Sequence, residues 1–153
     1  LKRGFEESKG DFIIVQDADL EYVPDDYSKM LKIFFEREKV VAVFGSRFIG
    51  DGPRIVLSNI QVVANKLMTM YSNFLSGIYL TDIHTCYIMI EKNKLKQILP
   101  YLKSARFGFN PEIVAILAKS KSVIAEVGIQ YYARTKGEGK KIKLKLKENF
   151  VLG

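Results

Sequence analysis

Cysteine and histidine are almost missing from this chain of 153 residues. Cys86 stands alone, which excludes an intramolecular disulfide framework and any four-cysteine zinc site. His84 is equally solitary and excludes a His-rich metal centre. Long apolar runs are missing as well. Unbroken runs such as Phe12 to Val15 and Val40 to Phe44 are strand-sized, so no membrane span is expected. No basic leader followed by an apolar core is visible, so no secretion signal is expected and a reducing, cytosolic setting is the default. Internal repeats and low-complexity linkers are lacking too. What is present is a core-forming composition: 48% hydrophobic and 27% charged residues in 17.5 kDa. That excludes a disordered polyampholyte and a collagen-like fibre, and it suits one α/β domain.

The formal net charge is +7, and its placement matters more than its size. Arg134, Lys136, Lys140, Lys141, Lys143, Lys145 and Lys147 face Glu138 alone in one C-terminal stretch, so nearly all the excess lies there. Such a stretch suits polyanions: nucleic acid, an anionic membrane surface or pyrophosphate-bearing substrates. A solvated tail is the alternative. Ile142, Leu144 and Leu146 alternate with the lysines, as in a half-exposed strand or a segment lying on anionic lipid.

Residues 1–8 read as the end of a helix closed by Gly10. Residues 11–16 read as a buried strand, 26–38 as an amphipathic helix and 40–44 as a second apolar strand. Two such strands around a helix form a βαβ unit, which predicts a mostly parallel sheet covered on both faces. A long helix over 58–76 carries Ile60, Val63, Leu67, Tyr71, Phe74 and Leu75 on one side. A strand is expected over 82–90 and a short helix over 91–99. Asn110 is expected to cap a further helix that runs to 121, with Pro111 in its first turn. Short strands follow at 123–127 and 129–133.

The sharpest chemical signal is Asp17-Ala18-Asp19 at the carboxyl end of the first strand. Residues i and i+2 of an extended chain point the same way, so both carboxylates project from a strand end where α/β sheets bind ligands. Two such anions repel unless a cation lies between them. Oxygen ligands without thiol or imidazole suit Mg²⁺ or Mn²⁺, which also holds a diphosphate. Glu21 continues the same side as a third ligand, and a solvated acidic turn is the plain alternative. Gly45-Ser46-Arg47 follows the second strand, which puts Arg47 at the same crevice, where a guanidinium matches phosphate oxygens. His84 and Cys86 read as a buried, bonded histidine and a small apolar thiol.

Five blocks follow in order: Gly10-Asp11 through Gln16-Asp17-Ala18-Asp19-Leu20-Glu21-Tyr22, Gly45-Ser46-Arg47-Phe48, Thr81-Asp82-Ile83-His84-Thr85-Cys86-Tyr87, Arg106-Phe107-Gly108-Phe109-Asn110-Pro111-Glu112, and Tyr131-Tyr132-Ala133-Arg134-Thr135. Together they resemble family 2 glycosyltransferases of the polyprenyl-phosphate (dolichyl-phosphate) mannosyl- and glucosyltransferase type. The resemblance implies a GT-A, Rossmann-like fold, a nucleotide-diphosphate sugar donor and a divalent cation. It also implies inverting transfer onto a polyprenyl phosphate, with the protein peripheral at the cytosolic face of the membrane. By it, Asp17, Asp19 and Glu21 match the metal-binding positions. Arg47 and Arg134 match phosphate-holding arginines, and Arg54 lies in the loop approaching the acceptor. Asp82 and Glu112 are the two candidates for an active-site carboxylate, and substitutions at Asp17 or Asp19 are expected to hurt more than those at Asp82 or Glu112. The family begins with earlier βα units, so residues 1–135 read as the C-terminal portion of a GT-A domain and 136–153 as a basic amphipathic segment.

Other classes remain open. A truncated, inactive transferase remnant shares every motif. A basic membrane-surface binding module accounts for the lysine run, whereas no nucleic-acid motif is recognisable. Phosphatases of the haloacid-dehalogenase type also use Asp-x-Asp after a buried strand, but they place Thr or Val where Glu21 stands.

Overall fold

Strand alternation in a short, wholly apolar segment organises the sheet. In the computed structural model, which describes residues 1–50, 59–104 and 108–132, the elements run α1 (Lys2–Glu7), β1 (Phe12–Ile14), α2 (Asp26–Glu36), β2 (Val40–Ser46), α3 (Asn59–Ser76), β3 (Ile88–Glu91), α4 (Lys92–Ile98), a 3₁₀ turn at Leu99–Tyr101, α5 (Phe109–Lys119) and β4 (Val123–Gly128). The sheet order is β1-β3-β2-β4. Ile88, Met89 and Ile90 are all buried, as a strand covered on both faces requires. Ile88 and Ile90 pack with Ala42, Phe44, Ile113 and Leu117 on the α4–α5 side. Met89 packs with Val43, Met30 and Phe34 on the α2 side. Each such side chain buried contributes roughly 1.5–3 kcal/mol relative to exposure.

The sheet is mixed rather than mostly parallel. β2 and β4 pair in parallel, but β3 lies between β1 and β2 and is antiparallel to both. β1, β2 and β4 therefore run one way, and the βαβ unit is split by a strand drawn from later in the chain. The physical reason is hydrophobic: β3 is apolar on both sides and takes the interior place, while half-buried Phe12 and Ile14 of β1 suit an edge.

Three expected elements differ. Residues 82–87 are not a strand, because their amides bond to side chains instead of a ladder. Thr81 N and Asp82 N donate to Glu126, Ile83 N to Thr69 Oγ1, and Cys86 N to Tyr22 Oη. This satisfies a buried loop backbone without a sheet neighbour. Residues 129–132 form a single bridge, Tyr22 to Tyr131, rather than a strand. Asn110 does not cap α5, which starts one residue earlier at Phe109 after Gly108. Its side-chain amide instead donates to Ile83 O at 3.1 Å and Thr85 O at 2.7 Å, tying α5 to the same loop. The apolar side of α3 is exposed: Ile60, Val63, Leu67, Tyr71, Phe74 and Leu75 each keep more than half of their surface accessible. Residues 136–153 lie outside the described residues.

At the end of β4 two backbones touch. A Cβ on Gly128 would lie 2.5 Å from Gly50 Cα and 2.9 Å from Ile49 O, and backbone has little room to yield. Gly4, inside α1, has nothing within 4 Å of its Cβ position. Gly128→Ala is therefore expected to lower unfolding stability by about 1–3 kcal/mol in chemical denaturation. Gly4→Ala is expected to leave it unchanged or raise it by up to about 1 kcal/mol.

Candidate active site

β2 ends in Ser46, and the next residue turns inward. Arg47 Nε donates to Asp82 Oδ2 at 2.7 Å, and Arg47 Nη2 to Asp82 Oδ1 at 2.9 Å, a two-pronged pair. The Arg47 backbone N–H reaches Asp82 Oδ2 at 3.2 Å, and Nη2 also reaches His84 O at 3.3 Å. The Asp82 side chain is fully buried and that of Arg47 only 10% exposed. Burial works against the arginine's charge, but the bonds and charge of Asp82 outweigh it, so the guanidinium is held protonated. The Ser46 and Thr81 hydroxyls share a bond of 2.6 Å beside the pair. The sequence brings Arg47 to this rim as expected, but commits its planar fork to Asp82 rather than presenting it to solvent.

The acidic loop after β1 meets the same surroundings. Cys86 Sγ donates to Asp17 Oδ2 at 2.7 Å, and burial, then the bond and charge of Asp17, push the thiol up to about 12. The thiol therefore remains a donor at neutral pH. Asp19 Oδ1 accepts the Glu21 backbone N–H at 3.2 Å, which closes the turn. Glu21 Oε2 accepts the Tyr131 hydroxyl at 2.8 Å, which orients its carboxylate. The Tyr131 ring in turn lies 5.1 Å from the Arg47 guanidinium carbon. Gln16 Oε1, just before the acids, accepts the Tyr87 hydroxyl at 2.7 Å.

Among the described residues no three His, Cys, Asp or Glu side chains stand together to hold a metal ion. The exposed Asp17 and half-buried Asp19 nonetheless fit a divalent cation of the Mg²⁺ or Mn²⁺ kind. Such an ion keeps most of its water and needs only one or two carboxylates plus substrate phosphates.

Beside the 82–87 loop, α3 and α5 flank a largely apolar, open cavity of about 820 Å³ lined by Leu67, Tyr71, Leu75, His84, Pro111 and Glu112, among others. Among the described residues the buried His84 Nε2 finds no hydrogen-bond partner there, and burial lowers the imidazole's pKa. Glu112 accepts the Lys103 backbone N–H at 3.0 Å and that of Ser104 at 2.8 Å. The structure thus gathers Arg47 and Asp82 into one bonded pair, links Asp17 to their loop through Cys86, and sets Glu112 at the cavity. Arg54 and Arg134 lie outside the described residues.

Four participants escape sequence reading: Glu126, Asn110, Cys86 as a donor, and Tyr131. Only Glu126 leaves a signal, as the single acid within the apolar strand Val123–Gly128.

Comparison with known proteins adds a family and relatives. A model described as Glycosyl transferase family 2 matches residues 1–99. The chain is 28% identical over 130 residues to a UDP-N-acetylglucosamine--dolichyl-phosphate N-acetylglucosaminyltransferase of Methanococcus voltae, covering 85% of this chain and 51% of that protein. It is 26% identical over 141 residues to an undecaprenyl-phosphate mannosyltransferase of Micrococcus luteus, covering 92% of this chain and 55% of that protein. The chain spans about half the length of these curated relatives.

Glu126 supplies a pH test. Burial, and further the charge of Asp82, raise its pKa against the lowering by the Thr81 and Asp82 amides. Where the folded pKa exceeds the unfolded one, the native state binds more protons between the two values, so stability falls as pH rises through that window. Urea denaturation across pH 4–8 is expected to show wild type losing stability above the ordinary carboxylate value of 4.5, relative to Glu126→Gln. Parallel pH curves for the two proteins would contradict this.

Proposed function

The chain belongs to glycosyl transferase family 2, and from that premise we propose that it moves a hexose, with inversion, from a nucleotide-diphosphate sugar to a polyprenyl (dolichyl) phosphate. The family implies a GT-A fold, with which the helix-covered mixed sheet agrees. The acceptor class comes from the names of the two relatives. One observation carries the reading for this chain: Cys86 bonds Asp17 while its own loop holds Asp82 and Arg47, so the paired acids and the arginine share one rim.

The chemistry asks little of a protein base. A lipid phosphomonoester has its second pKa near about 6, so at neutral pH it is mostly a dianion and attacks the anomeric carbon unaided. Asp82, bonded inward to Arg47, then serves as a fixed anchor, and Glu112 braces the mouth of the cavity through the Lys103 and Ser104 amides. The harder task is stabilising the departing nucleoside diphosphate. Asp17 and Asp19 would hold the divalent cation, which when bound neutralises charge on the diphosphate. Arg47, its charge balanced by Asp82, orders the rim, and Arg54 and Arg134 are assigned to direct phosphate contact.

The exposed apolar side of α3 supports a lipid acceptor. Phe74 is 85% exposed and Tyr71 66%, beside the α3–α5 cavity. Such a face suits a membrane surface or an isoprenoid chain. With it the protein acts as a peripheral protein at the cytosolic membrane face; no helix among the described residues is long and apolar enough to cross a membrane. The same face also favours a second reading, a membrane-surface binding module without catalysis. Vesicle binding that survives Asp17→Asn, with no transfer by wild type, would select it.

The direct test is metal-dependent transfer from a panel of radiolabelled nucleotide sugars to polyprenyl phosphate. Asp19→Ala, folded by circular dichroism, is expected to lose about 100-fold or more in turnover. Unchanged turnover would remove Asp19 from the site.

A further inference from the structure

Glu126 is the single acid of β4, and among the described residues no lysine or arginine forms an ion pair with it. Both of its carboxylate oxygens are given to backbone instead. Oε1 accepts the Thr81 N–H at 2.9 Å and the Asp82 N–H at 3.1 Å, and Oε2 accepts the Thr81 N–H at 3.0 Å. The backbone beneath is fixed by β2, with Glu126 beside Phe44 and Gly128 beside Ser46 in parallel register. Arg47 follows Ser46 directly. Glu126 therefore stands next to the strand that delivers the arginine and grips the amide of the residue that receives it. The Ser46–Thr81 hydroxyl bond of 2.6 Å ties the same two segments together.

We propose that Glu126 is a positioning residue whose reach from β4 sets the Asp82 carboxylate, and through it the Arg47 guanidinium, at the rim of the site. The inference rests on the transferase reading above. Buried loop amides do not by themselves call for an acid: the Thr69 hydroxyl serves Ile83 N, and the Tyr22 hydroxyl serves Cys86 N. A second anion beside Asp82 is electrostatically unfavourable. What glutamate supplies is length with two acceptor oxygens in one plane. One side chain crosses from strand to loop and takes two successive N–H groups, which fixes the direction of the peptide that carries Asp82. The Asp82 carboxylate is bonded to Arg47 at 2.7 and 2.9 Å, so a rotation of that peptide moves carboxylate and guanidinium together. A displacement of about 1 Å away from the reacting groups can cost about 100-fold in rate.

The test separates reach from charge on the full chain. Glu126→Asp keeps the charge and loses the reach. Glu126→Gln keeps the reach, and its one oxygen, set where Oε1 stands, still accepts from both amides. These and Glu126→Ala are read by the Arg47 Nε–H resonance in NMR, by urea unfolding and by transfer kinetics. Glu126→Asp and Glu126→Ala are expected to shift the Arg47 resonance in the same direction, although Glu126 makes no hydrogen bond to Arg47. Each is expected to lower kcat roughly 10- to 100-fold while KM for the nucleotide sugar stays within about threefold. Glu126→Gln is expected to keep the resonance and most of kcat. Phe34→Leu, in the core on the α2 side, is the stability control and is expected to move neither. The proposal is overturned if Glu126→Gln falls with Glu126→Ala, because charge rather than reach then matters. It is equally overturned if Glu126→Asp leaves resonance and kcat at wild-type values, or if Phe34→Leu moves both as far. Should Glu126→Ala not fold, the Asp and Gln variants decide. Should wild type show no transfer at all, the transferase reading fails, and the resonance comparison still decides the positioning.

Discussion

A guanidinium and a carboxylate withdrawn together from water fasten the end of β2 to the 82–87 loop. Taking two such charges from solvent costs several kcal/mol each, and only good geometry with further hydrogen bonds offsets it. Arg47 and Asp82 have both: two side-chain bonds, the Arg47 amide and the His84 carbonyl. Their neighbours are fitted to the pair. Glu126 accepts from the two amides that precede and include Asp82, and Asn110 holds the carbonyls that follow.

The acidic loop depends on that anchored loop rather than on its own strand. Asp17 is set by Cys86, and Glu21 by Tyr131 over Arg47, so each end of the loop is tied to groups that Arg47 and Asp82 hold still. A cation site formed by two carboxylates has few fixed ligands, and its precision must come from such supporting bonds. The α3–α5 cavity adjoins the same loop through His84. One buried pair thus holds the loop shared by the surface assigned to the donor and the surface assigned to the acceptor.

Local pattern revealed much of this in the sequence, and distance in the chain concealed the rest. The runs at Phe12 and Val40 read as strands because every residue in them is apolar, and Asp17 and Asp19 stood out against that background. β3 read as the end of a longer strand because residues 82–87 carry the same mixture of Ile, Thr and Tyr. The loop forms instead because its amides find side chains such as Glu126, 45 residues from Thr81. Arg47 read as free because its partner lies 35 residues away. Helical periodicity found the apolar stripe of α3, but periodicity does not say what covers a stripe, and this one is exposed.

The central claim, that the Arg47–Asp82 pair holds the site together, is tested most directly by unfolding free energies measured for one pair of proteins. Asp82→Ala alone leaves a buried guanidinium unpaired and is expected to lose about 3–5 kcal/mol. The double replacement Arg47→Met with Asp82→Leu removes both charges at similar volume and is expected to regain most of that loss. An Asp82→Ala protein as stable as wild type would contradict the account, because the pair would then hold nothing that water could not replace.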